Sequence, residues 1–226
     1  MYKYETHLHT APVSKCAVAS VREMLEFYKR NGYDGVFITN HFIDGNINYD
    51  RSAPYEEIIS FYFTAYEEAL ALSEEIGIKV FSGAELSYKG TDFLVYGLDK
   101  KWFLAHPEIR NMNKTDELAL MAYHGALIIQ AHPFLEKSYI DHIRLYPRSV
   151  HGVEVLNASK KDFQNAMAKH YAKSYSLIPF AGSDNHNPAT LKRLCGIEFR
   201  TPVKDEKDFI ERIKNGKGKL FTTELE

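Results

Sequence analysis

The segment Thr6-His7-Leu8-His9-Thr10 closes a short alternating run, Tyr2-Lys3-Tyr4-Glu5-Thr6. Alternation predicts a strand, and residues two apart on a strand share a face, so His7 and His9 can present two imidazoles to one point. Neutral imidazole is the commonest side-chain metal ligand. Alone, the pair is weak evidence and reads more readily as two exposed strand histidines. The rest of the chain repeats the theme: His41 follows Val36-Phe37-Ile38-Thr39, Glu85 follows Lys79–Ser82, His132 follows Ala126–Gln130, and Asp184 and His186 follow Leu177–Ala181. Each has an ordinary alternative. His41 can be a hydrogen-bonding loop residue, Glu85 a cap or ion-pair partner, His132 a strand-end residue held by a carbonyl, and Asp184 with His186 part of an Asx turn. Histidines and carboxylates at five separate strand ends, however, predict one shared site with the donors to hold several divalent ions.

The elements that must position these residues alternate along the chain. Beyond the first strand, helices are predicted over Val18–Asn31, Pro54–Ile76, Asn113–Tyr123, Lys160–Ser174 and Asp205–Asn215. Further strands are predicted over Asp92–Leu98, Gly152–Leu156, Gly196–Phe199 and Lys219–Thr222. Pro54 suits a first helical turn, Glu56 and Glu57 suit its positive end, and Gly77 suits its stop. Repeated βα units with short apolar strands imply a largely parallel sheet covered by helices. Ligands at the C-terminal ends of such strands are the arrangement of a βα barrel. The expected fold is therefore α/β, a TIM-like barrel, in a single domain over 1–226.

Composition narrows the functions. The 226 residues carry a formal net charge of -2, so no global field draws the chain to nucleic acid or to an anionic membrane. Two cysteines, Cys16 and Cys195, stand far apart in no paired motif, which fits a reduced cytoplasmic protein. No apolar run reaches the roughly 18–20 residues of a membrane span, and the first residues lack a signal-like apolar region.

The ordered set His-X-His-Thr, Thr-X-His, Gly-X-Glu, Ala-His-Pro and Gly-Ser-Asp-X-His resembles the PHP (polymerase and histidinol phosphatase) family of metal-dependent phosphoesterases, over nearly the whole span from His7 to His186. The resemblance implies a distorted (β/α)7 barrel with two or three divalent ions, zinc, manganese or iron, at its mouth. It implies that His7, His9, Glu85 and Asp184 hold the first ion and that Glu85 bridges to a second completed by His132. The family often has a histidine where this chain has Asp92, in Asp92-Phe93-Leu94-Val95-Tyr96-Gly97. A carboxylate there is a competent ligand, so Asp92 is expected to complete the second ion. A third ion would use His41 and His186. Its usual extra carboxylate or histidine is replaced by Ser14-Lys15-Cys16. Lys15 could occupy that position, contact a phosphate or be exposed, and Cys16 is a soft ligand if the loop folds inward. The common Thr-Asp-His reads Thr39-Asn40-His41 here.

The expected activity is hydrolysis of a phosphate ester on a small molecule, histidinol-phosphate-like or nucleotide-like, by metal-bound hydroxide, releasing inorganic phosphate. Glu85, Asp184 and His186 are the expected catalytic residues, with His186 or a metal-bound water protonating the leaving group. Lys15, Asn157, Arg144 and Arg193 are expected to contact substrate, with Arg148 and Lys160 as further cations. The competing readings are a nuclease or proofreading phosphodiesterase on DNA and a regulatory metal-binding module with weakened catalysis. The acidic net charge ranks nucleic acid well behind a small phosphorylated substrate.

Overall fold

The computed structural model describes residues 1–225. Strand β1 (Tyr2–Leu8) pairs in parallel with β2 (Gly35–Ile38), and β2 with β3 (Lys79–Tyr88). β4 (Thr91–Tyr96) runs antiparallel to β3 and to β5 (Leu127–Ala131), and β6 (Gly152–Asn157) and β7 (Ile178–Gly182) continue in parallel from β5. β8 (Arg193–Phe199) pairs antiparallel with the first half of β1, and β9 (Lys219–Glu224) with β8. The nine-stranded order is β7-β6-β5-β4-β3-β2-β1-β8-β9.

The sheet curls into a nearly closed barrel, because the segment after β7 meets the second half of β1. Asp184 N donates to His7 O at 2.7 Å, His9 N donates to Asn185 O at 2.9 Å, and the Thr6 hydroxyl donates to Ala181 O. Gly182 makes this approach possible: a Cβ there would lie 2.5 Å from His7 Cβ. Seven strands, β1 to β7, thus form the expected distorted barrel.

The sheet is more mixed than the sequence reading predicts. β3 and β4 are joined by Lys89-Gly90, both with positive φ, 50° and 80°. So short a connection allows only an antiparallel pair, since parallel strands need a crossover of about a dozen residues or more. β3 also continues past the predicted Ser82 to Tyr88, which places Glu85 within a strand rather than at its end.

Helices cover the sheet. α1 (Val21–Arg30) starts at a Ser20–Glu23 capping box and buries Val21, Met24, Leu25 and Tyr28, a spacing that puts one apolar stripe on the sheet. α2 (Tyr55–Ile76) ends at Gly77, whose left-handed φ of 73° suits a residue without a Cβ. α3 (Lys100–Ala105) lies in a stretch for which the sequence reading had no element, and Asp99 caps it. α4 (Lys114–Tyr123) precedes β5, α5 (Asp162–Ser174) joins β6 to β7, and α6 (Glu206–Lys214) joins β8 to β9. α6 packs Phe209 among Phe37, Tyr96, Phe180 and Phe199, so an aromatic cluster fills the barrel below the polar site. Tyr96 links the two layers by donating its hydroxyl to Thr6 O at 2.7 Å, next to His7. No helix among the described residues is long and apolar enough to cross a membrane.

Candidate metal centre

β1 delivers His7, and His9 follows one residue past the strand's end, two positions on, as alternation requires. Their Nε2 atoms lie 3.2 Å apart, and both side chains are fully buried. Glu85, 1% exposed, stands between the histidines and divides its two oxygens among them. Oε1 lies 3.1 Å from His7 Nε2 and 3.2 Å from His132 Nε2. Oε2 lies 2.6 Å from His41 Nδ1 and 3.4 Å from His9 Nε2. Asp184 Oδ1 lies 3.5 Å from the Nε2 atoms of both His7 and His9, and its Oδ2 is 3.8 Å from His132 Nε2. The His186 ring stacks on His9 with centroids 4.0 Å apart, and its Nδ1 is 3.2 Å from Asp184 O.

Among the described residues, three sets of donor atoms converge, each within 4.8 Å: His7, Glu85 and His132; His7, His9 and Asp184; His9, His41 and His186. The sequence-predicted ligands His7, His9, His41, Glu85, His132, Asp184 and His186 therefore come together. Asp92 is adjacent but engaged elsewhere. It accepts from Ser87 Oγ at 2.6 Å, and its Oδ2 is 4.0 Å from His132 Nδ1.

These residues fit divalent ions on one observation in particular. His41 Nδ1 and Glu85 Oε2 are buried and 2.6 Å apart, yet neither has a hydrogen-bond partner, because their geometry does not align a donor with an acceptor. Buried polar atoms rarely go unpaired, and atoms aimed at a common point are what a coordinated ion requires. The nitrogen and carboxylate donor set suits zinc, manganese or iron. His132 and Asp184 also sit in left-handed backbone, with φ of 26° and 52°, a conformation that concentrates at functional sites in residues other than glycine.

The electrostatics follow from burying charges side by side. Burial favours the neutral form of Glu85, but His41 and His7 outweigh it and hold the carboxyl well below its usual range. Asp184 is likewise depressed despite burial, by Lys160 and His7. His7 is raised despite burial by Glu154, Asp184 and Glu85, and His41 is raised to about 10, also against burial, chiefly by Glu85. His9 is pushed well down by burial and then by His186 and His41, so it stays a neutral donor. Asp92 is raised, first by burial and then by the Glu85 charge.

Several supporting residues escape the sequence reading. Glu154, fully buried on β6, accepts from His7 Nδ1 at 2.9 Å and from His132 N at 3.0 Å. Glu5 Oε1 accepts from Thr6 N, His7 N and Ser183 N at 2.8–2.9 Å, tying β1 to the end of β7. Ser14 Oγ is 3.0 Å from His9 Nδ1, donates to Asn40 Oδ1 at 2.8 Å and accepts from His41 N at 3.0 Å. The available signal is parity for Glu5, which shares the strand face of His7, and a lone acid in the apolar run Gly152-Val153-Glu154-Val155-Leu156 for Glu154.

An open pocket of about 630 Å³ covers the cluster, and its lining includes Arg51, Tyr139 and Lys160. Lys160 pairs with Asp184 Oδ2. The other substrate candidates fare differently. Asn157 is fully buried below the pocket, where Nδ2 donates to Glu154 Oε2 at 2.8 Å and Oδ1 accepts from Ser159 N at 2.9 Å. Arg144 pairs with Asp141 at 2.7 Å, and Arg193 with Asp162 at 2.7 Å; neither lines the pocket. Lys15 is exposed and also outside the lining, whereas Cys16 is part of it. Burial would raise the Cys16 thiol, but His186 and His41 outweigh it and bring it down to about 6.

The fold has relatives. A family model described as PHP-associated matches residues 162–217, from α5 to just past α6. A two-domain protein of Bacteroides vulgatus containing a predicted PHP-like metal-dependent phosphoesterase is similar with TM-score 0.73 and 15% identity, over 97% of this chain and 64% of that one. This chain thus spans less than two thirds of that protein. A candidate metal-dependent phosphoesterase of Bifidobacterium adolescentis aligns with TM-score 0.56 and 14% identity, over 92% of this chain and 94% of the other. An amidohydrolase of Chromobacterium violaceum, with bound sulfate and no metal, aligns with TM-score 0.56 and 13% identity, over 95% and 96%. No curated protein matches the chain in sequence. The family model covers that stretch alone, and what the solved structures share with this chain is the barrel fold.

Proposed function

We propose that this chain is a divalent-metal-dependent phosphoesterase acting on a small phosphorylated molecule, with inorganic phosphate as product. The observation that carries the reading is Glu85, whose two oxygens divide between His7 with His132 and His9 with His41. A carboxylate so divided is suited to bridge two ions. His7, His9, Glu85 and Asp184 would hold the first, Glu85, His132 and Asp92 the second, and His41 with His186 a third.

When bound, such ions supply Lewis-acid stabilisation of phosphoryl oxygens and activation of water at neutral pH. The chain's own residues do the rest. Lys160, at the rim beside Asp184, binds a phosphoryl oxygen and keeps its charge, since Asp184 outweighs the effect of burial. Arg51 supplies a second cation in the pocket wall. Glu154 and Ser14 orient His7 and His9 through their Nδ1 atoms, leaving each Nε2 toward the centre. His186 is tied at Nδ1 to Asp184, so Nε2 is the atom available to a ligand bond or to proton donation to the leaving oxygen. Lys160 and Arg51 take over the anchoring expected of Arg144 and Arg193, whose guanidinium groups are paired outside the pocket.

The pocket volume of about 630 Å³ lies within the roughly 300–1,000 Å³ of small-molecule sites, which supports a small substrate. Histidinol-phosphate-like and nucleotide-like esters both fit that class.

The test is to purify the protein without chelator, count metal by elemental analysis and assay a phosphoester panel with and without added manganese. The expected result is at least two tightly held ions, metal-dependent release of phosphate, and loss of both in Glu85→Ala. Folded protein that holds less than one ion would overturn the reading, as would full activity in Glu85→Ala.

A further inference from the structure

The loop after β1 bends over the centre. Ser14 N donates to Thr10 O at 3.0 Å, Lys15 N to Asn46 O at 2.9 Å, Ala17 N to Ser14 O at 3.0 Å and Val18 N to His186 O at 2.9 Å. Backbone on one side of Cys16 is therefore fastened to the loop that follows His41, and on the other side to His186 itself. Between these ties the Cys16 side chain turns into the pocket with His41, His186 and Glu85, while that of Lys15 does not line it.

A second observation is independent of the cysteine. Glu85 Oε2 and His41 Nδ1 are buried without a hydrogen-bond partner and face the same space. The pocket beside His41 and His186 is therefore lined by two imidazoles, a carboxylate oxygen that accepts no hydrogen bond and the Cys16 side chain.

We propose that Cys16 Sγ is a ligand of the third divalent ion, together with His41 and His186. The inference rests on the metal-centre reading above and adds a property to it. A site of two nitrogens and a thiolate sulfur favours zinc, iron(II) or cobalt(II) over magnesium or manganese, because the harder ions prefer oxygen donors. The third position then differs in metal preference from the nitrogen and carboxylate positions beside it.

Cobalt(II) titration of the metal-free full chain tests this. The expected result in wild type is visible d–d absorption plus a near-ultraviolet thiolate-to-cobalt charge-transfer band. Cys16→Ser should lose that band and bind one equivalent fewer, while keeping the d–d absorption of the remaining ions. Zinc should also protect Cys16 from iodoacetamide; buried Cys195 serves as the internal reference. Cobalt binding without the near-ultraviolet band, or an alkylation rate that zinc leaves unchanged, would remove Cys16 from the ligand set and leave the metal centre standing. Absence of any cobalt binding would overturn the centre and this inference together.

Discussion

Glu154 Oε1 stands 2.9 Å from His7 Nδ1, and both side chains are fully buried. The carboxylate accepts from Nδ1–H and fixes the ring, so that Nε2, facing Glu85 and Asp184, is the atom that would hold an ion once its own proton is displaced. The other oxygen of Glu154 accepts from His132 N at 3.0 Å, so one side chain supports residues on both sides of Glu85. Outer carboxylates of this kind typically contribute about 10–100-fold in metal affinity. Glu154→Gln is expected to fold, with metal affinity lowered by that order, as measured by competition with a chromophoric chelator. Affinity equal to wild type would show that His7 needs no such partner.

Asp92 gives opposite signs in the two metal states. In the metal-free protein its carboxyl is raised by burial and by the nearby Glu85 charge, so ionising it is unfavourable. Asp92→Asn removes that charge and can still accept from Ser87 Oγ. The metal-free variant should therefore be at least as stable as wild type in urea. If Asp92 completes the second ion, the same variant should bind fewer ions and gain less stability on metal addition, because ligand-linked stabilisation follows occupancy. Unchanged metal content would return Asp92 to a hydrogen-bonded wall residue.

Lys160 stands at the junction of the candidate metal centre and the pocket, and this placement separates binding from chemistry. A hydrogen bond to a charged group contributes about 1.5–3 kcal/mol, which corresponds to roughly 10–100-fold in affinity. Lys160→Met keeps the aliphatic stem and removes the ammonium. It is expected to raise KM and weaken inhibition by inorganic phosphate within that range. Arg144→Met and Arg193→Met, whose guanidinium groups pair outside the pocket, should change neither constant. Equal effects from all three would assign them to general surface charge.

How far the centre is readable in the chain depends on which residues carry it. His7, His9, His132, Asp184 and His186 are legible because they punctuate apolar strands with ligand-type side chains, and the barrel brings strand ends together. Glu85 is legible as a ligand-type side chain but not in its setting, since β3 runs on to Tyr88. The antiparallel β4 was readable from Lys89-Gly90, too short for a crossover; repeated helix signals elsewhere masked it. Glu154 was not readable, because the imidazole that needs its carboxylate lies on another strand, 147 residues away in the chain. Lys160 reads as the start of a helix, yet α5 begins at Asp162, and the two freed residues let its ammonium reach Asp184. Pairings between distant strands have no local pattern. They follow from the closure that Gly182 permits.

Glu5 should control the pH dependence of stability in the metal-free protein. It is fully buried and accepts three backbone N–H bonds through Oε1, while Oε2 has no hydrogen-bond partner. Burial pushes its carboxyl from 4.5 up to about 7, against the pull of those bonds. The folded state then binds this proton more tightly than the unfolded chain. Stability from this group is fully present below pH 4.5 and is lost as pH rises through about 7. A shift of that size corresponds to roughly 3 kcal/mol. Glu5→Gln retains a carbonyl for the three N–H groups and offers an amide toward the Tyr28 hydroxyl, which also lacks a hydrogen-bond partner. His7, His41 and His186 titrate in both proteins, so the informative quantity is the difference between variant and wild type. Urea unfolding of the chelated proteins at pH 5 and pH 8 should show the variant gaining stability relative to wild type at the higher pH, by up to about 3 kcal/mol. Parallel profiles would mean that Glu5 stays ionised when folded and that its three N–H bonds outweigh its burial.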